Sequence, residues 1–329
     1  MRAGHASELS GDAAEAERLY GRAIAHDPQY AEAYYFLGRM AERDERREEA
    51  IVHFQKAADL EPREVIYQFA LGNALLSLRY FEEAAAAFAA GCALQPEYAE
   101  VQINHAAALI EMNRREEVRI SLEQLRERRP DIWQVHFNLG GIYREYGRIG
   151  EAVECYRRCL ELMPDHPASR SNLLLIMNYG AGYTAREIFE QHKRFGEQFD
   201  RPYVVPQPDR TWPRKLRIGY VSPDFRGHVV TYFIEPLLAN HDREAFEIFC
   251  YHSHPEKDGT TDRLRGYADH WRDCETWSDA ELDRRIREDR IDILVDLAGH
   301  TAESRLLAFA TKPAPVQATY LGYPNSSGL

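Results

Sequence analysis

The sequence has little of what marks membrane, secreted or nucleic-acid-binding proteins. Its longest apolar run, Ala84 to Leu94, is far shorter than the roughly 18 residues that a membrane-spanning helix needs. The first residues contain no hydrophobic core of a signal peptide. Basic residues are fewer than acidic ones, 41 against 53, and the formal net charge of −12 disfavours binding to nucleic acid or anionic lipid. We therefore expect a cytoplasmic protein whose partners are proteins or small molecules.

Cysteine is also scarce. The five cysteines are Cys92, Cys155, Cys159, Cys250 and Cys274. Their number is odd, and no two of them have the C-x2-C spacing of a zinc site. Cys155 and Cys159 fall on one helical face and could share a metal, but no further ligand lies near them in sequence, so packing is favoured. The pattern is typical of reduced thiols and predicts no metal site.

The motifs of several enzyme classes are missing as well. No P-loop, G-x-G-x-x-G, G-x-S-x-G or H-E-x-x-H pattern occurs, so kinase, dinucleotide dehydrogenase, serine hydrolase and zinc protease functions lack support. The chain has 329 residues, of which 44% are hydrophobic and 29% charged. This length and composition predict a folded chain of two or three domains.

A repeat of 34 residues runs through the first half. It is marked by Pro28, Pro62, Pro96, Pro130 and Pro164. Small residues recur at two positions of the repeat: Gly38, Gly72, Ala106 and Gly140 at one, and Ala16, Ala50, Ala84, Val118 and Ala152 at the other, where Val118 departs from the pattern. Large apolar residues recur at a third: Tyr20, Phe54, Phe88, Leu122 and Tyr156. The pattern predicts pairs of helices that bury their apolar faces against neighbouring pairs, with the proline ending every second helix.

Asparagine recurs at one further position of the repeat, at Asn104, Asn138 and Asn172. An amide both donates and accepts hydrogen bonds, so a row of amides on the concave face would bind an extended peptide backbone whatever its side chains. The alternative is that asparagine is only tolerated on an exposed face, since Phe36 and Ala70 occupy the same position earlier.

The pattern changes after the repeats. Residues 165–200 still have helical spacing and are expected to cap the repeats, and the proline-rich residues 201–214 are expected to connect two domains. Short apolar runs then alternate with helical segments. The predicted strands are 216–221, 246–252, 291–299 and 316–323, and the predicted helices are 233–239, 261–268, 280–288 and 303–309. This alternation predicts a parallel sheet covered by helices, with ligands at the carboxyl ends of its strands.

Histidines follow three of these strands. They are His228, His252, His254 and His300. A histidine at such a place can act as a general base or donate to a phosphate or sugar, and Asp224 and Asp296 could orient it. His228 and His300 each follow a glycine in a tight turn, which favours a functional role. His252 and His254 lie in HSHPEKDG, which is typical of an ordinary polar turn and favours no function.

These features together resemble a known family. The repeats resemble tetratricopeptide repeats over about 1–164. The segments LRIGYVSPDFRGH, FCYHSHPEKDGTTDRLR and DLAGHTAESRLLAFATKPAPVQATYLGYPNSSG resemble the bacterial relatives of the protein O-linked N-acetylglucosamine transferase and SPINDLY family. The resemblance implies an α-helical tetratricopeptide solenoid followed by an α/β Rossmann-like region, residues 215–329, that forms part of the first lobe of a glycosyltransferase B fold.

The resemblance also implies a reaction. Members transfer a sugar to serine or threonine hydroxyls of proteins with inversion and without a metal cofactor. The donor is usually UDP-N-acetylglucosamine, and SPINDLY members use GDP-fucose. The resemblance assigns active-site positions to His228 and, near the acceptor, His300. It assigns donor-sugar binding to Tyr323, Pro324, Asn325 and Ser326, and acceptor-peptide binding to the three asparagines.

Three functions remain open at this stage. The favoured one is a protein glycosyltransferase whose nucleotide-binding second lobe would follow Leu329, so that the present residues alone are expected to be inactive. The second is a non-enzymatic tetratricopeptide scaffold that recruits protein partners. The third is a different metal-free transferase or hydrolase that uses His228 and His300.

Overall fold

A computed structural model describes residues 13–199, 203–204, 206–211 and 213–329. The chain divides into two compact units, one that extends to Tyr146 and one that covers Gly147–Leu329. In the part of the chain that is described, no helix has both the length and the apolar character needed to cross a bilayer.

The first unit consists of paired helices. Those described are α1 (Ala13–His26), α2 (Ala31–Arg43), α3 (Arg47–Leu60), α4 (Val65–Ser77), α5 (Phe81–Leu94), α6 (Ala99–Glu111), α7 (Arg115–Arg128) and α8 (Trp133–Glu145). Helices of 14 and 13 residues alternate. Each repeat proline lies in the turn after a 14-residue helix, which confirms the predicted period.

Packing within the repeats explains why glycine recurs at one position of the 34-residue period. A Cβ atom on Gly38 would lie 2.6 Å from the Phe54 ring, and one on Gly72 would lie 2.5 Å from the Phe88 ring. Both rings are fully buried. Glycine is therefore needed at these two positions because the ring of the following helix occupies the space of a side chain.

The third repeat has other residues at these positions. Ala106 stands at the glycine position, and Leu122 stands where the two earlier repeats have phenylalanine. Both are buried, as is Val118 at the other small-residue position of the repeat. The third repeat therefore buries all three positions although their side chains differ in size from those of the earlier repeats.

The second unit begins with three helices and continues into a sheet. Its elements are α9 (Ile149–Leu162), α10 (Pro167–Met177), α11 (Ala185–Phe199), β1 (Leu216–Ser222), α12 (Thr231–Ala239), β2 (Phe246–His252), α13 (Gly259–Arg265), β3 (His270–Asp273), α14 (Asp279–Glu288), β4 (Ile293–Asp296), α15 (Leu306–Phe309) and β5 (Val316–Thr319). All strands are parallel, in the order β3-β2-β1-β4-β5. The predicted α-helical repeats followed by a Rossmann-like sheet are confirmed.

Several elements differ in their bounds from the sequence prediction, as β5 does by ending at Thr319 instead of 323, and two differences have a clear physical reason. Strand β3 was not predicted, because its residues are polar and half-buried and pair only with β2 at the edge of the sheet. The strand predicted at 291–299 ends at Asp296, because the Asp296 carboxylate accepts hydrogen bonds from the backbone amides of Ala298 and Gly299 and turns the chain.

Both faces of the sheet are packed with apolar side chains. One cluster includes Ile218, Ile234 and Ile248, and the other includes Phe249 and Leu282. Since the strands are parallel, their carboxyl ends lie along one edge, and the loops that follow β1, β2 and β4 meet there.

Candidate functional site

The loop after β1 is held by its own backbone and by the next crossover. The Thr231 hydroxyl donates to the backbone carbonyls of Asp224 and Arg226 at 3.0 and 2.7 Å. The backbone amide of Gly227 donates to the Asp258 carboxylate at 2.7 Å, and Asp258 also caps α13. These contacts fix the backbone on both sides of His228.

His228 and Asp224 form a partly exposed pair in this loop. The Nδ1 atom of His228 lies 3.5 Å from Oδ1 of Asp224, with 37% of the His228 side chain exposed against 12% for Asp224. Burial raises the pKa of the Asp224 carboxyl, and the neighbouring imidazole opposes that rise. The backbone amide of Val230 donates to Nδ1 at 3.3 Å, and in this arrangement a neutral ring carries its proton on Nε2. In the other tautomer, with the ring proton on Nδ1 and facing Asp224, Nε2 is able to accept a proton.

The pair lines a cavity of about 210 Å³. Its walls are Pro223, Asp224, Arg226, His228, His254, Thr301, Ala302, Glu303 and Gly322. The cavity therefore collects residues from the loops after β1, β2, β4 and β5. This is the ligand position that the parallel sheet predicts.

His254 is the residue that the sequence interpretation undervalued. Its Nδ1 accepts from the backbone amide of Glu256 at 3.0 Å, and its Nε2 lies 3.4 Å from the Glu303 carboxylate. The ring therefore carries its proton on Nε2 and faces Glu303. The signal in the sequence was its position two residues after β2, on the same edge of the sheet as His228.

His252 is neither a surface turn residue nor a cavity residue. It is the last residue of β2, is fully buried, and has Asp273 3.6 Å from its Nδ1. Neither ring nitrogen has a hydrogen-bond partner among the described residues. Burial lowers the pKa of this imidazole, so the ring is packed in its neutral form.

Asp296 builds the turn that carries His300. Its two carboxylate oxygens accept from the backbone amides of Ala298 and Gly299 at 3.1 and 2.8 Å, and from the Thr319 hydroxyl at 2.9 Å. Gly299 has a φ of 58°, a conformation that favours glycine. Burial raises the pKa of Asp296, and the three donors act against that rise.

His300 lies outside the cavity and is fully buried. Its Nε2 donates to the backbone carbonyl of Ser327 at 2.9 Å, so its Nδ1 accepts from the Ser171 hydroxyl at 3.0 Å. Burial lowers the pKa of the imidazole to about 3. With both nitrogens occupied and the ring neutral, this arrangement favours a positioning role for His300 over proton transfer.

The predicted donor-sugar residues divide into two groups. Pro324 and Ser326 are exposed, whereas Tyr323 is buried and Asn325 is half-buried. The Asn325 amide donates to Asn178 at 3.0 Å. The side chains of Tyr323 and Asn325 therefore point into the protein, and Pro324 and Ser326 are the accessible part of the turn.

The predicted peptide-binding asparagines are all half-buried on their helices. Asn104 donates to the amide oxygen of Asn73 at 2.7 Å. Asn138 lies on α8 of the first unit, and Asn172 lies on α10 of the second. Among the described residues, no group of three or more histidines, cysteines or acidic side chains is arranged to hold a metal ion.

Comparison with known proteins gives matches in both parts of the chain. Residues 194–329 match the sequence model of glycosyl transferase family 41, and residues 10–60, 45–99 and 133–166 match tetratricopeptide-repeat models. The chain is 36% identical over 191 residues to a probable UDP-N-acetylglucosamine–peptide N-acetylglucosaminyltransferase SPINDLY of Oryza sativa subsp. japonica, covering 54% of the chain and 20% of the relative. A relative of the same description from Solanum lycopersicum is 39% identical over 177 residues, covering 52% and 19%.

A solved structure is similar over most of the chain. It is a K341M mutant of the O-GlcNAc transferase of Thermobaculum terrenum, with a TM-score of 0.60 and 30% identity, covering 91% of this chain and 52% of that one. The chain therefore spans about a fifth of the length of the two curated relatives and about half of the solved one.

Proposed function

Because the chain belongs to glycosyl transferase family 41, we propose that it is part of a protein O-glycosyltransferase. The whole protein would transfer N-acetylglucosamine, or a related sugar, from a nucleotide diphosphate donor to serine or threonine hydroxyls of protein acceptors. The observation that carries the proposal is the cavity containing His228, which lies entirely within the segment that matches the family.

His228 is proposed as the active-site base. In an inverting transfer, the acceptor hydroxyl gives up its proton as its oxygen bonds to the anomeric carbon, and the bond from that carbon to the diphosphate breaks with its electron pair leaving on the diphosphate. His228 lines the cavity, and its Nε2 would take the proton when the ring carries its own proton on Nδ1, facing Asp224. Asp224 would stabilise the resulting imidazolium, since it lies 3.5 Å from Nδ1.

The binding roles are proposed from the same resemblance. Pro324 and Ser326 are exposed, two and four residues after the cavity residue Gly322, and would contact the donor sugar, while Tyr323 and Asn325 would support them from the buried side. The three repeat asparagines would bind acceptor peptides. We propose no metal or organic cofactor and a cytoplasmic location.

The test is sugar transfer by the complete gene product that contains these residues. The protein is incubated with labelled UDP-N-acetylglucosamine or GDP-fucose and a serine- and threonine-rich peptide library, with and without EDTA, and modified peptides are identified by mass spectrometry. We expect transfer from one donor that EDTA does not reduce and that His228→Ala lowers. Peptide binding without transfer from either donor would instead support the scaffold.

A further inference from the structure

The segment 322–328 is bound on its buried side by two helices. Tyr323 is 8% exposed, and its hydroxyl lies 2.7 Å from Nε2 of His192 on α11. Asn178, which caps the end of α10, donates to the same hydroxyl at 2.9 Å. Asn325 donates to the amide oxygen of Asn178 at 3.0 Å. Two side chains of the segment are thus held by two side chains of the helices.

The donor and the acceptor of each hydrogen bond in this network can be assigned. The carbonyl of Ile188 can only accept, so Nδ1 of His192, 2.7 Å away, donates to it. Nε2 of the neutral ring must then accept from the Tyr323 hydroxyl, which in turn accepts from Asn178. Asn178 gives its other amide hydrogen to the carbonyl of Leu174 at 2.8 Å. The hydrogen bonds therefore run from Asn178 through the Tyr323 hydroxyl to His192 and on to the Ile188 carbonyl. Neither Asn178 nor His192 keeps a free donor.

The backbone of the segment is held as closely as its side chains. A Cβ on Gly196 of α11 would collide with the carbonyl oxygen of Gly328, and a Cβ on Gly328 would collide with that of His192. His300 adds a hydrogen bond from its Nε2 to the Ser327 carbonyl. The rings of His192 and His300 pack edge to face at 5.3 Å. The segment and α11 therefore meet backbone to backbone, with glycine required on both sides.

The same segment forms part of the His228 cavity at its other end. Gly322 lines the cavity and immediately precedes Tyr323. A Cβ on Gly322 would collide with the carbonyl oxygen of Leu297, so its backbone is confined from the opposite side. Because Tyr323 follows Gly322 directly, a shift of Tyr323 would also displace this wall of the cavity.

We propose that Asn178 and His192 are positioning residues of the transfer site, which act through Tyr323 and Asn325 to fix the 322–328 segment against the cavity. The proposal rests on the proposed function, since it assigns this segment a place beside the reacting sugar. It assigns α10 and α11, which the sequence interpretation treated as a cap of the repeats, a part in the catalytic geometry. A displacement of an active-site wall by about 1 Å is able to lower turnover by up to about a hundredfold.

The test uses Tyr323→Phe and His192→Phe in the complete gene product. Each variant keeps a ring and removes one end of the central hydrogen bond. The matched control is Tyr220→Phe, because the Tyr220 hydroxyl also pairs with a histidine nitrogen, Nε2 of His241, at 2.9 Å in the same unit and outside the cavity. Turnover, the KM of the acceptor peptide and amide hydrogen exchange of 322–328 are measured for all three.

We expect both ring variants to lower kcat by about tenfold, with the acceptor KM within about twofold, and to speed exchange in 322–328. The control should leave kcat, KM and this exchange at wild-type values. Equal losses in the control, or unchanged exchange and kcat in the ring variants, would overturn the proposal. If the wild-type protein transfers no sugar, the proposed function fails. Amide hydrogen exchange alone then decides whether α10 and α11 fix the 322–328 segment.

Discussion

His228 and His300 differ in exposure although their sequence settings are alike. Each follows a glycine after a strand of the same sheet, so the sequence predicts a functional place for both. One keeps 37% of its side chain exposed in a cavity, whereas the other is fully buried. The rings of Phe195 and Tyr323 pack against His300. Its hydrogen-bond partners Ser171 and Ser327 lie 129 and 27 residues away, so no local pattern connects them with it.

The first prediction concerns His228. Replacement by alanine removes the proposed base and should lower transfer by about tenfold or more at unchanged thermal stability, because the ring is partly exposed. Initial rates and the unfolding temperature of both proteins check this. Wild-type rates in the variant would remove His228 from the site.

The second prediction concerns Asn138. Its side chain is half-buried on α8, and alanine at this position removes one amide of the proposed peptide-binding row. The KM of the acceptor peptide should rise by about threefold to tenfold, whereas the KM of the sugar donor should not change, since one lost hydrogen bond weakens only the complex that contains it. Equal changes in the two KM values would count against the row.

At the scale of elements, the helices of the repeats could be predicted from the 34-residue period, and the central strands from their apolar runs. The edge strand β3 could not, because His270–Asp273 has the polarity of a loop and becomes a strand only through backbone pairing with β2. Packing of the Phe249 ring on the His270 ring, 4.2 Å between centroids, adds to that pairing. Backbone pairing with a strand that is distant in sequence requires no particular side chains, so the sequence of β3 contains no pattern that predicts it.

The third prediction compares two helical glycines. Gly72→Ala places a methyl group 2.5 Å from the buried Phe88 ring and should lower the free energy of unfolding by about 1–3 kcal/mol. Gly21→Ala on α1 meets nothing within 4 Å and should raise it by about 0.5–1 kcal/mol. Urea denaturation of the two variants checks both signs. Similar effects of the two changes would show that helix propensity outweighs the contact with Phe88.

At the scale of the whole molecule, buried neutral histidines make stability depend on pH. The pKa of His300 falls from 6.5 to about 3 on folding, because burial penalises the imidazolium. Below pH 6.5 the unfolded chain therefore binds a proton that the folded chain does not. The contribution to stability is complete above pH 6.5 and is lost as the pH falls toward 3.

The fourth prediction follows from this linkage. Between pH 7 and pH 5, His300 should account for about 2 kcal/mol of the fall in the free energy of unfolding. His300→Gln should be less stable at pH 7, because Ser171 and Ser327 lose their shared partner, but should lose less stability on acidification. Denaturation of both proteins at several pH values gives the two slopes. Parallel slopes would mean that His300 is not the group that titrates.

The contact between Gly196 and Gly328 also limits how the gene for this chain can recombine with those of its relatives. A crossover in the proline-rich stretch 201–214 would look harmless from the sequence, since it separates helical repeats from the sheet. It would nevertheless join the 322–328 segment of one parent to the α11 of the other, and both glycines would have to match. Exchange of the repeats between relatives is therefore expected to succeed with junctions at or before Gly147, where the second compact unit begins.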